Sequence, residues 1–193
     1  MNLSLLKRWT PPILDTPRLR IRGLERDDAE AVFAMCSNPQ MTDFTLWETH
    51  VTLDDSLQFV RDYASARYRE RVPEPLGITW RNDPNQRIIG TLGGFWVSQP
   101  NGTMELGYAI AAPCWGMGLA TEASSALINY LFEQFPIERL QARSMAPNQA
   151  SIRVLEKLGF QFEGTQRSLI CRRGAYWDVS IFAILRPEWQ ARR

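Results

Sequence analysis

One stretch constrains this chain more than any other: Glu105-Leu106-Gly107-Tyr108-Ala109-Ile110-Ala111-Ala112-Pro113-Cys114-Trp115-Gly116-Met117-Gly118-Leu119-Ala120-Thr121-Glu122. It reads as an apolar strand, a turn marked by Pro113, two glycines flanking Met117, and the start of a long amphipathic helix. A strand that runs through a glycine loop into a helix N-terminus leaves backbone N–H groups unpaired and pointing one way, with the positive end of the helix dipole behind them. Such a cradle holds an anion. The same residues also suit an ordinary strand–turn–helix junction in which the glycines only satisfy turn geometry.

Known phosphate loops can be tested against these residues. A Walker loop requires Lys and then Ser or Thr after its last glycine, whereas Leu119 and Ala120 follow Gly118. A dinucleotide fingerprint requires three glycines near the first strand of a parallel unit and an acidic residue about 20 positions further on. Neither pattern is present. A loop without the Lys and without a metal-holding hydroxyl suits a ligand whose phosphates are only held while another part of it reacts, and coenzyme A is such a ligand.

A chain of 193 residues suits one domain with a sizeable core. With 22 Lys and Arg against 21 Asp and Glu, global charge gives no argument for a nucleic-acid or membrane partner, although Arg167, Arg172 and Arg173 form a local basic patch. Cys36, Cys114 and Cys171 are widely spaced and odd in number, so they make neither a disulfide framework nor a metal-ligand set, and a reducing, cytoplasmic setting is expected. His50 is the single histidine, which removes most zinc and Ser-His-Asp chemistries, and no metal is expected. The N-terminal residues lack a long apolar h-region, and no apolar run reaches membrane-spanning length.

In chain order, residues 1–12 read as an arm outside a single domain of residues 13–193. Leu19-Arg20-Ile21-Arg22 alternates as a half-exposed strand. Asp27 and Glu30 offer a capping box for a helix carrying Val32, Phe33 and Cys36, which Asn38-Pro39 ends. Thr52 opens a second helix with Leu53, Leu57, Val60 and Ala64 inward, and the aromatic loop Met41 to Glu48 lies between the two. Leu76–Trp80, Arg87–Trp96 and Thr103–Ala111 form a meander joined by Pro, Asn and Gly turns. The glycine loop follows, then a helix over Leu119–Phe135 with Ala123, Leu127, Tyr130 and Leu131 inward. Next comes a strand over Leu140–Met145 that a right-handed crossover sets parallel to the meander's last strand. Asn148 caps a fourth helix that Gly159 closes, and Phe160–Ile170 and Tyr176–Leu185 form a hairpin through Arg173-Gly174.

This order resembles the GNAT superfamily of acyl-CoA-dependent N-acetyltransferases, and within it the RimJ/RimL branch of ribosomal-protein N-terminal acetyltransferases. The resemblance rests on Leu14-Asp15-Thr16-Pro17-Arg18-Leu19-Arg20-Ile21-Arg22, Trp47-Glu48, Glu105-Leu106-Gly107-Tyr108, and Trp115-Gly116-Met117-Gly118-Leu119-Ala120-Thr121-Glu122-Ala123. It also rests on Asn148-Gln149-Ala150-Ser151 before Glu156-Lys157-Leu158-Gly159-Phe160, on Asp178, and on Pro187-Glu188-Trp189. Trp115 departs from the Gln or Arg usual at that place. The resemblance implies an α+β fold with a central mixed, mostly antiparallel sheet of six to seven strands, splayed at the CoA site and flanked by about four helices. It also implies acetyl-CoA as co-substrate, and its relatives often dimerise.

It further implies that the amides of Gly116, Met117, Gly118, Leu119, Ala120 and Thr121 hold the CoA pyrophosphate. The pantetheine arm then contacts the backbone of Tyr108 and Ile110, with an amide near Ala109 or Ile110 facing the thioester carbonyl. Asn148 contacts the pantetheine, and Ser151 is the acid for the departing thiolate; their spacing is equally that of an N-cap and its N3 partner. Glu105 is the candidate base, because alternation puts it on one face with Gly107 and Ala109, the other reading being an exposed strand carboxylate paired with an Arg. Acceptor choice falls to the loop bearing Phe44 and Trp47. An α-amino group, with a pKa of about 8 against about 10.4 for Lys, is easier to deprotonate by roughly 3 kcal/mol, which favours N-termini and weakly basic amines as acceptors. The rival readings are a small amine such as an antibiotic, polyamine or amino-acid derivative, and a non-catalytic acyl-CoA-binding module. His50 beside the loop and Cys114 beside the cradle read as incidental.

Overall fold

The computed structural model describes residues 9–192. Eight strands form one sheet: β1 (Leu14–Asp15), β2 (Leu19–Gly23), β3 (Leu76–Trp80), β4 (Ile88–Ser98), β5 (Thr103–Ile110), β6 (Arg139–Met145), β7 (Gln161–Arg172) and β8 (Ala175–Leu185). Their spatial order is β1-β2-β3-β4-β5-β6-β8-β7. Every neighbouring pair is antiparallel except β5 and β6, which the crossover sets parallel. The eighth strand, beyond the six to seven expected, is β1, two residues that fold back so that Leu14 faces Ile21.

The crossover is helix α4 (Leu119–Gln134). Leu119, Ala123, Leu127 and Leu131 recur every four residues and are fully buried, each leucine contributing about 1.5–3 kcal/mol. Together with α5 (Gln149–Leu158), it covers one face of the sheet over the larger core, which contains Met104, Leu106, Leu140 and Phe182. The opposite face carries α1 (Ala29–Cys36), then α2 (Leu53–Gln58), which runs through a π-helical segment (Phe59–Ala64) into α3 (Ser65–Arg69). A smaller core lies beneath them, around Val32, Cys36, Val60 and Ile88.

Three local expectations change. The first capping box is Glu25 with Asp28, not Asp27 with Glu30, because the Arg22 guanidinium grips Asp28 at 2.7 Å through both nitrogens and fixes it as the third helical position. In the second helix Ser56, Val60 and Ala64 are buried while Leu53 is exposed: the π turn widens the repeat, and Ser56 takes the inward place by bonding His50. After β8 the chain adds α6 (Arg186–Gln190), whose Trp189 stacks on Phe132. Of the arm expected over residues 1–12, residues 1–8 lie outside the described residues. The next four lie against the fold, with the Trp9 ring 6.4 Å from that of Tyr68 and Pro11 occupying the space a side chain at Gly23 would need.

Candidate active site

β5 and β6 pair over only three residues, from Thr103 opposite Arg139 to Glu105 opposite Gln141. Beyond that point β5 stays with β4 and β6 stays with β8, so the sheet forks. The Ala111 amide donates to the Ile89 carbonyl at 2.9 Å, and the alternation of an antiparallel ladder then turns Ala109, Gly107 and Glu105 toward β4. The backbone groups of Leu106, Tyr108 and Ile110 therefore face into the fork. The Ala109 amide is committed to the ladder, so the donors that face the fork are the N–H groups of Leu106, Tyr108 and Ile110. The Ile110 carbonyl accepts the Trp115 indole N–H at 2.5 Å, so the residue that departs from the family pattern ties the glycine loop to the strand.

In that loop Gly116 and Gly118 both have φ of +75°, a conformation that costs an L side chain roughly 1–2 kcal/mol. A Cβ on Gly116 would meet nothing within 4 Å, and Gly118 is the N-cap of α4 with no side chain over the helix end. The amides are thus bare, as an anion site requires. The loop is braced from behind. The Arg18 guanidinium donates to the Met117 carbonyl at 3.0 Å and to Glu122 at 2.6 Å, while the Thr16 hydroxyl and the Arg18 backbone N–H complete the Glu122 shell at 2.6 and 2.9 Å. Burial works to raise the Glu122 carboxyl, but the bonds from Thr16 and Arg18 outweigh it and hold the group below its ordinary value.

Glu105 stands at the base of the fork, 6% exposed. Gln141 donates to it at 2.8 Å and Arg143 Nε at 2.9 and 3.0 Å, so two N–H donors occupy part of a carboxylate that offers about four acceptor sites. On the other face Tyr108 reaches α5, its hydroxyl 2.9 Å from Ser151 Oγ and donating to the Ser151 carbonyl at 3.2 Å. Burial pushes the Tyr108 phenol up to about 12, with the Ser151 bond opposing, so it stays protonated through neutral pH. Asn148 caps α5 by accepting the Ser151 N–H at 3.1 Å.

The aromatic loop is pinned from the far end of the chain. At the β7–β8 turn Arg173 and Gly174 both have positive φ, as a type I′ hairpin requires. The neighbouring Arg172, its side chain 5% exposed, donates to the carbonyls of Thr42 and Trp47, and Glu48 lies 3.6 Å from both arginines. Trp47, His50, Phe59 and Tyr63 follow one another with ring centroids 6.0, 6.2 and 5.6 Å apart. Burial lowers the His50 pKa.

The strand β5, the glycine loop, the start of α5 and the aromatic loop open into one groove of about 1040 Å³. Glu105, Ser151, Tyr108, Ile110, Gly116, Gly118, Leu119, Ala120, Thr121, Asn148, Phe44 and Trp47 line it, as do Cys114 and His50; Met117 does not, its carbonyl being turned back to Arg18. The chain matches the family described as Acetyltransferase (GNAT) domain over residues 18–161. It belongs to the GNAT acetyltransferase family. The GNAT chain is 34% identical over 180 residues to the uncharacterized N-acetyltransferase YoaA of Bacillus subtilis (strain 168), spanning 92% of this chain and 98% of that protein. It is 26% identical to the putative ribosomal N-acetyltransferase YdaF of the same organism, spanning 91% and 95%. Its fold is like that of RimL, a ribosomal L7/L12 alpha-N-protein acetyltransferase solved in complex with coenzyme A, with a TM-score of 0.81 at 20% identity and 92% and 99% of the two chains covered.

Several groove features of this GNAT acyltransferase escape sequence reasoning. Arg172 is separated from Trp47 by 125 positions and from Thr42 by 130, and nothing local signals the clamp. Alternation along β5 does put the Tyr108 side chain on the α5 face, a signal that was available, but its partner Ser151 is 43 positions away. Glu74, between Pro73 and Pro75, carries no motif at all.

Proposed function

We propose that this enzyme transfers the acetyl group of acetyl-CoA to a primary amine, and that its acceptor is the N-terminal α-amine of a protein, with ribosomal proteins the leading class. The observation that carries the reading is the division of charge along the groove. The bare glycine-loop amides and the Arg153 and Lys157 side chains of α5 serve a phosphate-bearing ligand, whereas Asp43, Glu74 and Glu105, the last paired with Arg143, serve a cation. The names of YdaF and RimL support the ribosomal class.

In this reading the amides of Gly116 to Thr121 hold the pyrophosphate, and the backbone of Tyr108 and Ile110 pairs with the pantetheine arm as an added strand. One of the fork-facing N–H groups of β5 donates to the thioester carbonyl. The amine nitrogen attacks that carbonyl carbon, its proton passes to Glu105 directly or through a water, the C–S bond breaks, and the departing sulfur takes the Ser151 hydroxyl proton, which the Tyr108 hydroxyl 2.9 Å away replaces and solvent then restores to Tyr108. The test is thiol release from acetyl-CoA against a panel of free-N-terminus peptides and small amines, beside Glu105→Gln. Release should require a peptide amine and fall about 100-fold in the variant. Full turnover by Glu105→Gln removes the base assignment, and release with small amines alone removes the protein acceptor.

A further inference from the structure

Gly107 is placed where its lack of a side chain, and not its backbone freedom, is what matters. It pairs directly with Gly93 across the β4–β5 ladder, in the hydrogen-bonded class whose Cα atoms lie about 5.5 Å apart. Directly paired residues share a face, so both missing side chains would project toward the α1–α3 side, together with Glu105. The two positions are then filled differently. A Cβ at Gly93 would fall 2.4 Å from Cγ of Glu74 and 2.8 Å from its Cα, so the Glu74 residue occupies that half of the floor. A Cβ at Gly107 would meet nothing within 4 Å, and Gly107 is not among the residues with positive φ. An open place the width of one residue thus lies beside Glu74 and one pleat repeat, about 6.8 Å, from Glu105.

We propose that this place over Gly107 receives the acceptor's amino group and that Glu74 is the residue that binds and orients it as an ammonium. The proposal rests on the reading that the acidic end of the groove takes an amine. Glu74 is suited to it. Its carboxylate, with 17% of the side chain exposed, accepts the Tyr63 hydroxyl at 2.9 and 3.0 Å and Arg67 Nε at 3.1 Å. Arg67 is shared with Glu70 at 3.1 Å, so two carboxylates divide one guanidinium and the cluster keeps a negative charge. The ring of Tyr63, stacked on Phe59, ends the aromatic row that begins at Trp47 and brings its hydroxyl to Glu74, where an aromatic ring and a carboxylate can together favour a cation. Glu105 is likewise held by one arginine, Arg143, and one neutral donor, Gln141, and in this proposal Glu74 binds the cation while Glu105 takes the proton.

Two variants of the full chain test this, assayed with whichever peptides and amines of the panel the wild type acetylates. Glu74→Gln should raise the acceptor KM roughly 10- to 100-fold, the loss of one charged hydrogen bond, while the acetyl-CoA Kd stays within about two-fold. Gly107→Ala adds a methyl group to empty space on ordinary backbone, so its melting temperature should match the wild type's. Its acceptor kcat/KM should nevertheless fall by about 10-fold or more with acetyl-CoA binding intact. Should Glu74→Gln be too unstable to assay, Gly107→Ala decides. An acceptor KM and kcat/KM unchanged in the assayable variants overturns the proposal while leaving amine acetylation standing. A wild type that binds acetyl-CoA yet acetylates no amine in the panel overturns the functional reading, and this proposal with it.

Discussion

Gly116 and Gly174 form a matched pair for testing the anion cradle. Their φ angles are +75° and +76°, and a Cβ at either would meet nothing within 4 Å. Alanine at either site therefore carries the same penalty, roughly 1–2 kcal/mol for holding a side chain in the left-handed region. For a chain of this length that lowers Tm by about 2–8 °C. Only Gly116 stands in the loop. There the backbone either keeps its shape with a methyl group projecting into the cradle or relaxes and turns its amides away, and one charged hydrogen bond lost is about 1.5–3 kcal/mol. The acetyl-CoA Kd of Gly116→Ala should rise roughly 10- to 150-fold by titration calorimetry, while that of Gly174→Ala stays at the wild-type value. Equal Tm losses with equal Kd values in the two variants would refute the reasoning, since the loop would then be an ordinary turn.

Tyr108→Phe removes the hydroxyl that meets Ser151 Oγ and the Ser151 carbonyl; stability should fall by about 0.5–1.5 kcal/mol and kcat by about 100-fold, and a lower Tm at full kcat would leave the contact purely structural. For Glu122, the folded carboxyl sits below its ordinary value of 4.5, so its contribution is present above that pH and is lost as pH falls through the folded value. Glu122→Gln should therefore cost about 1–2 kcal/mol at pH 7, discounted because the Arg18 side chain is 44% exposed, and the gap between the two melting curves should close in acid. Melts from pH 7 to pH 3 check this, and a gap constant across that range would contradict it.

What the sequence makes legible is whatever short-range physics fixes. The strand, glycine loop and α4 are continuous in the chain, and leucines every four residues leave one orientation for the helix and hence a parallel β6. The caps at Thr52 and Asn148 are visible for the same reason. The departures arise where a distant group overrides a local preference: Arg22 moves the capping box to Asp28, and a π turn with a buried Ser56–His50 bond shifts the inward face of the second helix. In the groove, residues that act through the backbone or a signature loop were visible. Those that act by position across the sheet, namely Arg172 on the aromatic loop, Arg143 on Glu105 and Glu74 over Gly93, depend on register between distant strands, which periodicity does not encode.

The most direct test of the central claim is where the acetyl group lands. A peptide with a free N-terminus and one internal lysine, incubated with the enzyme and acetyl-CoA and sequenced by tandem mass spectrometry, should carry a single acetyl group on its α-amine, because that amine is the more readily deprotonated. Acetylation of the lysine side chain in preference, or no acetylation of any peptide by an enzyme that binds acetyl-CoA, would contradict it.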